Sequence, residues 1–385
     1  MGVPRQDTSR ITAEELDVRQ ITPDELEVPE ELSRRRLRSR LLVAFAILLA
    51  VIAVVTLLPG LGNLRSLLAH AKPEWLLLGV VLKLLSGLGY VAVFRMIFCR
   101  RMSWRVSTQV GMSELGANAL FPTGGAGGLA LGAWALKRGG MASEEIARRT
   151  VSFFLLTSVP NVLGVIVLGF ALAVGILRGE GNLLLTALPA AIAVAAVAAT
   201  LLAGRVAGRW GARAHAGGAG EPSKRRAAIA KTLTAVAHGV RESLALLREG
   251  NVVLIAGLLA YLVFDVAILW AGFRALGASP PLALLALAYL IGELGGLIPV
   301  PGGIGGIDAG LVGTLLLFHV SITLAAGAVL VYRAIALWVP AIVGGVAFVA
   351  LRRTLSNEVE QVACCGPQTE MDIIGAGRVM VHGEQ

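Results

Sequence analysis

Two stretches of this chain decide its fold: Glu114-Leu-Gly-Ala-Asn118-Ala-Leu-Phe-Pro122-Thr-Gly124-Gly125-Ala-Gly127-Gly128, and Glu293-Leu-Gly-Gly-Leu-Ile-Pro299-Val-Pro301-Gly302-Gly303-Ile-Gly305-Gly306-Ile-Asp308. Each runs Glu-Leu-Gly, then proline, then Gly-Gly-x-Gly-Gly, and each is flanked by apolar sequence. A lipid-exposed helix would not carry such a cluster. Backbone that is not helical survives at membrane depth only where protein or a water-filled cavity satisfies its N–H and C=O groups. The pattern therefore predicts two re-entrant helical hairpins, over 106–140 and 281–318. Downstream, Pro160-x-x-x-Gly164 matches Pro340-x-x-x-Gly344, and an arginine precedes each proline (Arg149, Arg333).

Working outward, the composition supports a lipid surrounding. Of 385 residues, 56% are hydrophobic and 15% charged, with a mean hydropathy of +0.76. A soluble domain is about a quarter charged, and so little polar surface could not cover a core this apolar. Plain apolar runs at about 41–58, 75–98, 150–177, 183–203, 252–276 and 322–350 predict about six full transmembrane helices beside the hairpins. The fold class is an all-α polytopic membrane protein.

The net charge of +9 is placed as the positive-inside rule expects. Arg34, Arg35, Arg36, Arg38 and Arg40 precede the first run. Arg95, Arg100, Arg101 and Arg105 close the second, and Arg352 and Arg353 close the last. Both termini are therefore expected in the cytoplasm, with the protein in the cell membrane. The arginines flank apolar runs and are not interleaved with exposed aromatics, which argues against nucleic acid. About forty polar residues precede the first run, so it reads as a retained helix and not a cleavable signal. Cys99, Cys364 and Cys365 have no metal-ligand spacing, and no cofactor or metal is expected.

Three regions follow. Residues 1–33 form a polar tail with a short duplication, Ile11–Val18 and Ile21–Val28, each copy holding Thr with Glu three residues on. Disorder and two short capped turns are both compatible with it. Residues 34–353 form the membrane domain. Its first repeat spans about 75–177 and its second about 252–350. Between them, 204–250 is a basic amphipathic segment that lies on anionic lipid or on the protein's own loops. Residues 354–385 are a polar tail.

Charge placement sets the repeats antiparallel. The first hairpin is flanked by basic, cytoplasmic ends, whereas the second follows the outside loop Ser279-Pro280-Pro281. Inverted repeats with Gly/Pro-broken helices in matching positions point to a transporter-like binding site. The stretch Pro301 to Leu311, with Tyr332-Arg333-Ala and Trp338-Val-Pro340-Ala-Ile-Val-Gly344-Gly, resembles the lysylphosphatidylglycerol synthase transmembrane-region family, the flippase-like domain of multiple peptide resistance factors. The resemblance covers about residues 40–353. It implies an all-helical, flippase-like fold that moves aminoacylated or other lipids between leaflets. Synthase members carry a soluble transferase after the membrane region. Here a short tail follows, so lipid synthesis is not implied and the chain reads as a non-enzyme. Asp308 stands where the family more often has Glu, and the matching position in the first copy is Ala130.

The candidate binding residues are Glu114, Asn118, Pro122, Gly124, Gly125, Gly127, Gly128, Arg149, Glu293, Pro299, Pro301, Gly302, Gly303, Gly305, Gly306, Asp308, Tyr332 and Arg333. Intramembrane ionisable groups are functional hypotheses by default. Glu114 and Glu293 can take up protons, or form ion pairs with Arg149 and Arg333 that merely hold the hairpins. The glycines permit close backbone approach and expose helix N-termini to an anionic lipid phosphate, or they pack helices tightly. The arginines can grip a phosphate in bidentate fashion or snorkel to an interface. Asn118 can bond a headgroup or cap a half-helix. Lys83 and Asp265 lie in apolar spans with partners the sequence does not name. The expected partners are membrane lipids with anionic headgroups, with a homo-oligomer left open. Two rivals remain: a non-transporting partner of lipid or cell-envelope enzymes, and an intramembrane aspartyl protease using Asp265 and Asp308, whose surroundings fit neither presenilin-type signature.

Overall fold

The computed structural model describes residues 62–120, 126–177, 186–195, 197–198, 239, 241, 243–294 and 306–357. The first apolar run, both tails and most of the basic segment 204–250 lie outside these residues. The described chain is helical without strands: α1 (Gly62–Ala69), α2 (Pro73–Phe98), α3 (Trp104–Leu120), α4 (Ala126–Arg138), α5 (Ser143–Ala173), α6 (Thr186–Ala195), α7 (Val252–Ala275), α8 (Leu282–Leu294), α9 (Gly306–Leu317) and α10 (Ile322–Asn357).

Local chemistry explains the helix ends. Pro73 opens α2 at a position where its missing N–H has no helical partner in any case. Asn251 caps α7, its side chain accepting from Val253 N–H and Leu254 N–H. Glu144 and Glu145 sit in the first turn of α5, where carboxylates favour the positive end of the helix. That is why α5 begins several residues before the apolar run 150–177.

Four helices are long and apolar enough to cross a bilayer: α2, α5, α7 and α10. They are four of the six spans expected from the sequence. The run 41–58 lies outside the described residues, and 183–203 is described mainly as the ten-residue α6. The helix α1, in the gap before α2, was not foreseen. It sends Leu64 and Leu67 against Gly327 of α10.

Helices α2 and α7 form the most extensive contact and run antiparallel. Lys72 N–H at the start of α2 donates to the Ala275 carbonyl at the end of α7, while Arg100, past the far end of α2, pairs with Glu249, just before α7. Where they cross, Gly89 and Gly257 face each other. A methyl group on Gly89 would come within 2.8 Å of the Gly257 carbonyl oxygen. Helix α3 crosses α10 at a second glycine contact, Gly116 on Gly344. Helices α3 and α4 lie against each other, as do α8 and α9, the latter through Gly292 and Gly310.

Burial is reversed relative to a soluble protein. Leu77, Phe170 and Val346 are 67%, 63% and 69% exposed, whereas Lys83, Asp265 and Glu114 are 8%, 4% and 3% exposed. Large apolar side chains on the outside and charges on the inside require an apolar solvent. The buried apolar side chains form two clusters. One gathers Phe94, Met102, Leu136 and Leu156 with Leu351 and Leu355, the other Ile268, Phe273, Leu285, Leu311 and Leu315.

Candidate functional site

Between these clusters lies a buried polar centre assembled from five helices. Lys83, Ser86 and Tyr90 line one face of α2 near its middle, at intervals of three and four residues. A 26-residue helix is about 39 Å long, so Lys83, eleventh in α2, lies near mid-depth of a hydrocarbon layer about 30 Å thick. On α7, Tyr261 and Asp265 are four residues apart. On α8, Tyr289 and Glu293 are likewise. Asp308 stands in the first turn of α9, and Tyr332 and Arg333 lie in the middle of α10.

The bonds are specific. Lys83 Nζ donates to Asp265 Oδ1 at 2.8 Å and to Oδ2 at 3.1 Å. Tyr289 Oη donates to Asp265 Oδ2 at 3.4 Å, and Ser86 Oγ donates to the Tyr261 carbonyl at 3.3 Å. Arg333 Nε donates to Asp308 Oδ1 and forms an ion pair with it. Tyr289 and Tyr332 meet edge to face at 6.0 Å, and Tyr90 tilts against Tyr261 at 5.6 Å. Glu293 lies within electrostatic reach of Lys83, Asp265, Asp308 and Arg333. Helices α8 and α9 therefore contribute to one charged cluster shared with α2, α7 and α10.

Glu114 sits apart from these charges. Tyr90 Oη donates to its Oε2 at 2.9 Å, and Gly132 of α4 leaves the space its carboxylate fills. Asn118 Oδ1 accepts from Gly128 N–H at 2.9 Å, which caps the first turn of α4. A side chain on Gly128 would collide with Asn118 and with the Glu114 carbonyl. Gly128 therefore serves close helix packing, and Asn118 holds a donor at the N-terminus of α4. Gly127 is buried at the same turn.

Arg149 does not join Glu114. Its Nη1 donates to the Ile97 and Phe98 carbonyls at the end of α2, and its guanidinium pairs with Glu145. Register explains the difference from Arg333. Arg149 precedes Pro160 by eleven residues and Arg333 precedes Pro340 by seven, a displacement of about one helical turn. Gly306 opens α9. Pro122, Gly124, Gly125, Pro299, Pro301, Gly302, Gly303 and Gly305 lie outside the described residues. A shallow apolar groove of about 530 Å³ on the outer face of α10, past Trp338, Ile342, Val346 and Arg353, contains none of the candidate residues.

Tyr90, Tyr261 and Tyr289 were not foreseen as members of the centre. The signal was present: Tyr261 with Asp265, and Tyr289 with Glu293, are pairs spaced i,i+4 within apolar runs, which puts each pair on one helix face. The partner of Lys83 required the α2–α7 contact.

The model of the family described as lysylphosphatidylglycerol synthase TM region matches residues 41–344. No curated protein matches the chain.

Proposed function

From the premise that this chain belongs to the lysylphosphatidylglycerol synthase TM-region family, we propose that it moves a lipid with an anionic, phosphate-bearing headgroup between leaflets. The cavity is the space between two re-entrant hairpins, α3–α4 and α8–α9, arranged as an inverted repeat. The basic helix ends face the cytoplasm, as do both termini. One observation carries the reading: a charged cluster at mid-depth, drawn from α2, α7, α8, α9 and α10, in a molecule whose outer surface is apolar. Isolated charges in hydrocarbon are strongly disfavoured, and where a fold keeps them they mark a path for polar cargo.

The residues divide the work as follows. Arg333, held by Asp308, presents a planar cation that can exchange its carboxylate for a phosphate of matching geometry. Gly306, which opens α9, lets the backbone N–H groups of that helix start approach the same oxygens. Lys83 and Asp265 hold α2 on α7 and fix the floor of the cavity. Asp265 and Asp308 are each bonded to a separate cation, which is not the shared-proton pair an aspartyl protease requires.

The test is leaflet transfer. The full chain, reconstituted into phosphatidylcholine vesicles containing fluorescent phosphatidylglycerol, is expected to expose inner-leaflet label to an external quencher faster than empty vesicles do. Arg333→Gln is expected to remove most of that difference. Failure to move phosphatidylglycerol, its aminoacylated forms and lipid-linked glycans alike would refute the reading.

A further inference from the structure

The charges of the polar centre do not balance. Lys83 and Arg333 face three carboxylates, Asp265, Asp308 and Glu293. Lys83 is bonded to Asp265 and Arg333 to Asp308, so Glu293 is the carboxylate without a cation of its own among the described residues. Helix α2 brings Lys83, α7 brings Asp265 and Tyr261, α8 brings Tyr289, α9 brings Asp308, and α10 brings Tyr332 and Arg333. Helix α5, which packs on α8, has no ionisable residue between 150 and 177. The break 295–305 and the apolar run 41–58 contain none either. Glu293 also lies in the last turn of α8, where the helix presents partial negative charge. An unpaired carboxylate in such a place is neutralised and not left charged.

We propose that Glu293 is an exchangeable proton site, loaded at rest, and that lipid passage is accompanied by loss and regain of this proton. The second half of this statement rests on the lipid-moving reading above; the first does not. The step is transfer of H⁺ from the carboxyl oxygen to cavity water and back, with no bond formed to the lipid. Glu114 also lacks a cation among the described residues, but it is 3% exposed and its carboxyl is packed into the space left by Gly132 of α4, which shuts it away from exchange with water. Glu293 is less buried and stands in the last turn of α8, one residue before its final Leu294.

Infrared spectroscopy of the full chain, in vesicles of phosphatidylcholine with a minor share of phosphatidylglycerol, tests this directly. The expected result is a carboxylic C=O band that shifts in D2O and disappears on alkaline titration. Glu293→Gln removes that band, and Glu114→Gln removes only a component that does not titrate. Asp308→Asn supplies an independent check: it removes the carboxylate that competes with Glu293 for Arg333, so the titrating band weakens at neutral pH although Glu293 is intact. Wild-type and Glu293→Gln spectra that coincide in this region would overturn the proposal, as would a band unmoved by Asp308→Asn. Lipid transfer is measured on the same vesicles. A titrating band without transfer leaves the proton site standing and sinks the lipid reading. Transfer that is independent of pH, with no such band, does the reverse.

Discussion

Removing Lys83 should damage this protein more than removing its partner Asp265, and the order follows from the charge count. Lys83→Met leaves Arg333 alone against Asp265, Asp308 and Glu293. Asp265 then stays buried, its side chain 6% exposed, with a Tyr289 hydrogen bond as its remaining described contact. Breaking a buried ion pair from one side destabilises by about 3–5 kcal/mol, and a lone charge at the bilayer centre is disfavoured by about 2.5–3.5 kcal/mol on insertion scales. The expected loss is therefore about 3 kcal/mol, a shift of roughly a hundredfold in the folding equilibrium. Asp265→Asn leaves two cations against two carboxylates, because Glu293 can give up its proton and pair with Lys83. Its expected loss is about 1 kcal/mol, that of an ordinary hydrogen bond. The double substitution removes one charge of each sign and should recover to within about 1 kcal/mol of wild type, giving a coupling energy of about 3–4 kcal/mol. Chemical unfolding in detergent, followed by tryptophan fluorescence, reads all four proteins. If Asp265→Asn proves as damaging as Lys83→Met, or if the double variant is no better than the worse single one, the charge count is wrong.

Other substitutions separate packing from function. Gly344→Ala should destabilise by about 1–3 kcal/mol, because its methyl group would meet the Met112 carbonyl at 2.5 Å, whereas Gly345→Ala, with nothing within 4 Å, should be neutral or gain about 1 kcal/mol of helix propensity in the same unfolding assay. Asn118→Ala frees the Gly128 N–H and should lower stability by about 1 kcal/mol; an unchanged midpoint would mean that the cap contributes nothing. Arg149→Ala should lower the thermal midpoint while leaving phosphatidylglycerol transfer intact in the protein that remains folded, since Arg149 binds the end of α2. Arg333→Gln, which leaves Asp308 without its cation, should lower the midpoint as well but also remove transfer in the protein that remains folded, and equal transfer in the two folded variants would undo that division.

Much of this architecture is written in local patterns. The described ends of α3 and α4, and of α8 and α9, stand on either side of the Gly/Pro-rich stretches read from the sequence. The long spans follow from hydropathy, and the basic ends follow from arginine placement. The centre was legible only in part. Glu293, Asp308, Tyr332 and Arg333 stood out because ionisable and broken sequence at membrane depth is rare. The partners did not stand out, because bonding depends on register between helices distant in sequence. Lys83 and Asp265 lie 182 positions apart, and nothing in either span announces the glycine contact at Gly89 and Gly257 that brings those spans together. Arg149 misled for a related reason. Its type and rough position match Arg333, but one helical turn of displacement sends it to the carbonyls of α2.

That displacement bears on why the two proposed halves cannot share a chemistry. Aligned on Pro160 and Pro340, the position of Arg333 falls on Phe153 in the first half; aligned on the glycine clusters, the position of Asp308 falls on Ala130. Phe153 is buried against Tyr90 at 5.2 Å, while Ala130 is exposed. The first half thus replaces an ion pair by an aromatic contact, and its glutamate receives one tyrosine hydroxyl where Glu293 has a field of four charges. A carboxyl group with a single neutral donor in a tight apolar pocket has little reason to change state as the fold moves. A carboxyl group beside two cations that are already committed elsewhere can be tipped by any anion that draws Arg333 away from Asp308. A phosphate arriving at Arg333 would release the Asp308 carboxylate and alter the balance around Glu293 in the same event. Cargo binding and proton exchange would then be linked through one arginine, and the linkage would reside in the second half alone.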